Sequence, residues 1–351
     1  MRSWLCSLDD LSRESPSRVS WADVAKSITI ILLVFWTIVG DSIYFNEMLL
    51  FLRMPLFFFV SGMFALRFLT RTNLFELVSQ RVGNLLYLYA LWCAMLFFSI
   101  AVPLYLVRGS EIDPIGQLDI FWDVNFNMWF LYALAVATAF AWSVRKLPVL
   151  LVLAISVAAY LVSVSSGEWR YLPFIERIVR LFPFFWIALI AFPAISAGVE
   201  RYYRAWPLVL GAFFLASWLV YDSPLINQGW LTFTITLVGI AGTLGFARQI
   251  AAFGWSRVLT IVGSSTLYIY VMHKIVLFYL DYGLGTLGLG ESLGLALVQT
   301  VVVVAVCTIL GRTLAAIPLT TWLFRAPWLP APVPRRDHRS GTAVHAPSAS
   351  R

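Results

Sequence analysis

Charge is scarce in this chain: only 12% of its 351 residues are Asp, Glu, Lys or Arg, while 60% are hydrophobic. A soluble globular protein carries about twice that charged fraction, so that class is excluded. Histidine is scarcer still, three in all, and none precedes His273. The three cysteines, Cys6, Cys93 and Cys307, have neither the spacing of a metal site nor the density of a disulfide framework. No internal repeat and no separate soluble domain stands out. The first 26 residues are polar and lack a cleavage-site pattern, so the first apolar run reads as a retained anchor.

Long apolar runs are what the chain has instead, and its mean hydropathy is +0.83. A helix crossing a ~30 Å hydrocarbon layer needs about 20 apolar residues. Ten runs are candidates: 27–43, 48–69, 82–107, 126–143, 147–165, 178–198, 206–221, 228–247, 258–280 and 293–317. They predict an all-α fold, a polytopic membrane helix bundle of about ten transmembrane helices. With the N-terminus in the cytoplasm, Arg67, Arg71, Arg81, Arg145, Lys146, Arg201, Arg204, Arg248, Arg257 and the Arg-rich C-terminus fall inside. Asp41, Glu47, Glu111, Asp113, Asp222, Asp281 and Glu291 then fall outside, and only the loop 168–177 is mixed. The positive-inside rule therefore predicts both termini cytoplasmic, in a plasma (inner) membrane. It also accounts for the net charge of +7 without nucleic acid. The expected organisation is a cytoplasmic tail over 1–20, a transmembrane domain over 21–325 and a disordered cytoplasmic tail over 326–351, rich in Pro, Arg, Ser and Ala.

This topology gathers ionisable groups at one depth. Arg53 opens RMPLFFFVSG (53–62) inside an apolar segment, next to a proline that removes a backbone donor. An arginine at membrane depth costs at least a few kcal/mol and marks a candidate functional site. Thr37 lies about 16 Å along the first run from Lys26, and Asp41 about one turn further out. Trp129 opens the fourth run from outside, Arg180 the sixth, and His273 and Lys274 lie fifteen and sixteen residues into the ninth. Asp41, Arg53, Arg180, His273 and Lys274 thus share the outer half, which predicts a polar cavity suited to an anionic or acyl group. His273 is the histidine placed for acid–base work. The alternatives are structural: a snorkelling Arg53, pairing of Asp41 with Arg53 between helices, and an aromatic-belt Trp129. At the cytoplasmic side, Arg67, Arg71 and Arg81 could hold phosphates of a cytosolic donor or simply fix the topology.

Five segments in order carry a resemblance: WADVAKSITIILLVF from Trp21, FLRMPLFFFVSGMFA, MWFLYAL, RLFPFFWIA and STLYIYVMHKIVL. Across residues 21 to about 320 the chain resembles the acyltransferase-3 family of integral membrane O-acyltransferases, which act on surface polysaccharides as O-acetylases and O-succinylases. The resemblance implies ten helices around a tunnel, acyl-CoA as the donor substrate with no permanently bound cofactor and no metal, and an extracytoplasmic glycan or lipid-linked sugar as acceptor. It gives Arg53 the position before Met-Pro, where it would stabilise acyl-oxygen charge or orient the carrier. Asp23 and Lys26 match the opening motif and, with Arg81, form the expected donor-binding set. Trp129, Arg180 and Lys274 form the substrate-binding set. The family's first-span histidine falls at Thr37, preceded by Trp36 instead of glycine. A threonine hydroxyl is no general base without activation. The candidate catalytic set is therefore Arg53, Asp41, His273 and Thr37, with Asp41 or His273 as base. A non-catalytic partner in glycan assembly remains an alternative, as does a transporter or flippase with discontinuous helices and repeated halves.

Overall fold

The structure, a computed structural model, describes residues 20–40, 48–70, 73–108, 128–166, 173–253, 256–286 and 292–329. Among these residues all regular structure is helical. In chain order the principal helices are α1 (Ser20–Val39), α2 (Leu50–Met63), α3 (Gly83–Leu96), α4 (Trp129–Ser143), α5 (Val149–Ser165) and α6 (Pro173–Tyr202). They are followed by α7 (Trp206–Tyr221), α8 (Gly229–Ala251), α9 (Ser256–Ser264), α10 (Thr266–Thr286) and α11 (Leu293–Ala316). Two π-helical turns, Leu77–Val82 and Phe97–Ala101, flank α3 and extend it in both directions. Asn73 starts that extension with a capping box, accepting from the Glu76 N–H while its own N–H reaches the Glu76 carboxylate.

Where the structure describes them, the apolar runs read from the sequence are largely helical, and the protein is a polytopic helical bundle. Among the described residues, five helical stretches are long and apolar enough to cross a membrane, six if α9 and α10 count as one bent span. Phe51–Met63, Trp129–Ser143 and Val149–Ser165 are apolar but shorter, and α6 with α7 makes one helical stretch, Ile175–Tyr221.

One expectation needs correction. The run 258–280 is not straight: it bends by 80° between Ser256–Ser264 and Thr266–Leu284. Ser264 and Ser265 both donate to the Ile261 carbonyl, and Thr266 donates to Gly263. Such back-bonding competes with the helix ladder and bends it. His273 therefore stands seven residues into a straight helix, about 10 Å by helical rise, rather than fifteen.

Two glycines set the spacing around α1 and α2. A Cβ on Gly263 would lie 1.8 Å from the Asp23 carbonyl oxygen, so α9 sits directly on the first turn of α1. A Cβ on Gly62 would lie 2.2 Å from the Phe185 carbonyl oxygen, which closes α2 onto α6. Without a side chain at either position the backbones meet, as small residues allow in membrane bundles.

The packed chain runs past the expected boundary at Arg325. Ala326 is buried and its N–H donates to Asn84 Oδ1 at 2.8 Å. Trp328 donates to the Ser79 carbonyl at 3.0 Å, Trp92 to Leu323 at 2.8 Å and Tyr87 to Trp322 at 3.1 Å. Residues 318–329 thus clasp the start of α3 at one end of the bundle. The expected tails, 1–19 and 330–351, lie outside the described residues.

Candidate functional site

The last turn of α1 is where two of the candidate side chains converge. Trp36 and Thr37 are successive residues, so they point about 100° apart around the helix. The Arg53 guanidinium from α2 lies over the Trp36 ring, 4.6 Å from its centroid. The His273 ring from α10 approaches Thr37, with Nε2 at 3.5 Å from Oγ1. Arg53 is 7% exposed and His273 1%, so both sit inside the bundle rather than facing lipid.

Hydrogen bonding assigns the imidazole. His273 Nδ1 lies 2.7 Å from the Tyr270 carbonyl oxygen, which can only accept, so Nδ1 carries the proton. In the neutral ring Nε2 is then the acceptor and faces Thr37. The Thr37 hydroxyl donates to the Leu33 carbonyl at 3.0 Å, one turn back on its own helix. At 3.5 Å its contact with Nε2 is at the weak limit of a hydrogen bond. The arrangement brings a guanidinium and a buried nitrogen base to successive residues of one helical turn, Trp36 and Thr37.

Below this cluster is a cavity of about 390 Å³. Lys26 and Thr29 of α1, Ser61 of α2, Arg81 and Asn84 at the start of α3, and Ser264 at the α9–α10 bend give it polar walls. Its lining ends at Phe57, Phe130 and Tyr270, one helical turn short of Arg53 and His273 on α2 and α10. Lys26 pairs with Asp23 at 3.1 Å and stands over the Phe64 ring at 4.0 Å. Lys26 and Arg81, two cations in the lining of one cavity, can hold a phosphorylated ligand.

The remaining candidates lie elsewhere. Arg180 donates to Ser163 through Nε to the hydroxyl (3.0 Å) and Nη2 to the carbonyl (2.9 Å), and pairs with buried Glu176 on its own helix. Trp129 lies beneath Arg177, 5.4 Å from the guanidinium. Lys274 is half-buried beside His273 on α10 and makes no ion pair among the described residues. Asp41, the alternative base, lies outside the described residues. No group of His, Cys, Asp and Glu among the described residues could hold a metal ion.

The sequence reading missed Trp36 and Tyr270. Trp36 registered only as a substituted glycine, yet it carries the Arg53 contact. Tyr270 precedes His273 by three residues, a spacing that shares one helix face and was available as a signal.

A second cavity, about 370 Å³, lies between α6, α7 and α8. Phe59, Ile187, Trp206 and Leu237 are among its lining residues, and no charged side chain is among them.

A family model described as an acyltransferase domain matches residues 19–312, most of the chain and all the site residues above. No curated protein and no solved structure matches.

Proposed function

The chain belongs to this acyltransferase-3 family, and from that membership we propose an integral membrane O-acyltransferase moving an acetyl or related acyl group from cytosolic acyl-CoA to a hydroxyl of an extracytoplasmic carbohydrate or lipid-linked glycan. The match across residues 19–312 carries the reaction class. The observation supporting chemistry in this chain is the meeting of His273 and Arg53 at Trp36–Thr37 above a cavity bearing Lys26 and Arg81.

On this reading the anionic donor binds at Lys26 and Arg81, with Asp23 holding Lys26 in place, and its thioester arm rises toward α10. The acceptor hydroxyl gives its proton to His273 Nε2, with Tyr270 fixing the tautomer. The hydroxyl oxygen bonds to the thioester carbon, the C–S bond breaks, and the proton passes to the departing thiolate. Arg53 stabilises the oxyanion that develops on the acyl oxygen.

Membrane vesicles containing the protein, given radiolabelled acetyl-CoA at the cytoplasmic face, should accumulate label as base-labile ester on extracytoplasmic glycan. Labelling no higher than in vesicles lacking the protein overturns the proposal. One observation favours a second reading, a non-catalytic partner in glycan assembly: the Thr37 hydroxyl is turned back onto Leu33 and supplies no base from α1. An inert chain that gains transfer on Thr37→His would support it.

A further inference from the structure

We propose that the apolar cavity between α6, α7 and α8 is a lipid site, holding one acyl chain of an anionic phospholipid whose headgroup lies on Arg201, Arg204 and Arg248. The inference is independent of the reaction proposed above.

The cavity is a slot with an apolar length. Its lining runs from Ile187 to Tyr202 on α6 and from Leu237 to Gly245 on α8. By helical rise those stretches are about 22 Å and about 12 Å long, which brackets the roughly 15 Å depth of one leaflet of the hydrocarbon core. Buried Phe59 of α2 lines it on the side of the bundle. Tyr202 and Ala241 are exposed, so the slot opens on the bundle's outer surface. Both walls belong to helical stretches long and apolar enough to cross a membrane, Ile175–Tyr221 and Gly229–Ala251. What such an opening faces is hydrocarbon.

One end of the slot is cationic. Tyr202 and Tyr203 stand in the lining where α6 gives way to α7, and each ring carries guanidinium. Arg201 lies 5.2 Å from the Tyr202 centroid, and Arg248 and Arg204 lie 5.0 Å and 5.8 Å from that of Tyr203. Arg204 Nε also donates to the Tyr203 hydroxyl at 3.3 Å. Arg248 is held by Glu200 at 2.7 Å, whereas Arg201 and Arg204 make no ion pair among the described residues. The rim they form is net positive. A guanidinium over a ring is attracted by the ring face and keeps N–H donors for phosphate oxygens. The slot alone would take any hydrocarbon; the rim adds a choice of headgroup charge. The charge reading of the loops expects this rim at the cytoplasmic face, where basic groups at helix ends attract anionic lipid.

The test releases the full chain from nanodiscs of equimolar phosphatidylcholine and phosphatidylglycerol and identifies the retained lipids by native mass spectrometry. The wild type should keep one phosphatidylglycerol with at least about tenfold preference over phosphatidylcholine, a difference of about 1.4 kcal/mol. In the double variant Arg201→Gln/Arg204→Gln the preference should fall to within about twofold, with a lipid still in the slot. Ala241→Phe fills the slot and leaves the rim, so retention of any lipid should drop about tenfold. Both arginines are exposed, so the double variant keeps its fold and decides the matter even where the phenylalanine variant does not fold. Equal retention of the two lipids by the wild type, or a preference that the arginine substitutions leave in place, overturns the site and leaves annular lipid only. Retention that survives Ala241→Phe, or a second copy of the chain in place of the lipid, overturns it as well.

Discussion

The cavity between α6, α7 and α8 and the one beneath His273 have nearly the same volume, about 370 Å³ and about 390 Å³, but opposite linings. The first is apolar with tyrosines at its edge, and hydrocarbon can fill it without specific partners. The second places Lys26, Arg81, Asn84 and Thr29 around one space and ends against an aromatic trio beneath a buried imidazole. Volume alone does not separate a reaction site from a lipid slot in a membrane bundle. The separating feature is polar side chains from several helices meeting where lipid cannot solvate them.

The same contrast appears in how the bundle handles two arginines. Arg180 is answered locally, by Glu176 on its own helix and by Ser163 on the helix beside it. The Arg53 guanidinium lies over the ring of Trp36, next to the residue that His273 approaches. A charge answered within α5 and α6 is a structural device. A charge brought beside a base from a third helix has the makings of chemistry.

Substitutions around the two cavities can break this contrast. The largest effect is expected from His273→Gln, which removes the base and should lower acyl transfer about 10²–10⁴-fold. A variant retaining full rate in the vesicle assay would move the base elsewhere, with Asp41→Asn the next to measure. Next in size, Arg81→Gln should raise the donor KM about tenfold, since a charge-assisted hydrogen bond is worth about 1.5–3 kcal/mol. Its kcat should hardly move, because phosphate binding is common to ground and transition states. A fall confined to kcat would place Arg81 in the chemical step instead.

Gly263→Ala tests packing rather than chemistry. The added methyl would collide with the Asp23 carbonyl, so α9 must shift off α1. Overpacking of this kind costs about 1–3 kcal/mol, readable as a lowered melting temperature in detergent. The smallest effect belongs to the apolar cavity. Gly245→Ala places a Cβ 3.1 Å from the Trp206 Cβ and partly fills the space, so transfer should stay within about twofold of wild type. A large loss there would erase the distinction between the two cavities.

Much of the bundle was legible in the sequence because apolar runs and helix length are local properties. The 80° bend at Ser265 was not, since it comes from hydroxyl back-bonding in Ser264, Ser265 and Thr266 rather than from a proline. The π turns flanking α3 left no compositional mark either. Within the site, Arg53 and His273 could each be singled out as ionisable groups in apolar surroundings, and Thr37 through the family resemblance. Their partners could not. The Thr37–His273 approach joins residues 236 positions apart and depends on how α10 leaves the bend. Trp36 stood out only as a replacement for glycine, because an aromatic in an apolar helix has no visible role until a cation is found over its face.

The clasp of residues 318–329 on α3 has a practical side. Trp328 holds Ser79 and the Ala326 amide holds Asn84, so this short segment grips both the turn that carries Arg81 and a wall of the polar cavity. A purification tag fused directly after Arg325 would replace those two anchors, and donor affinity measured on such a protein would understate the native value. Fusing it beyond Leu329 keeps the grip intact.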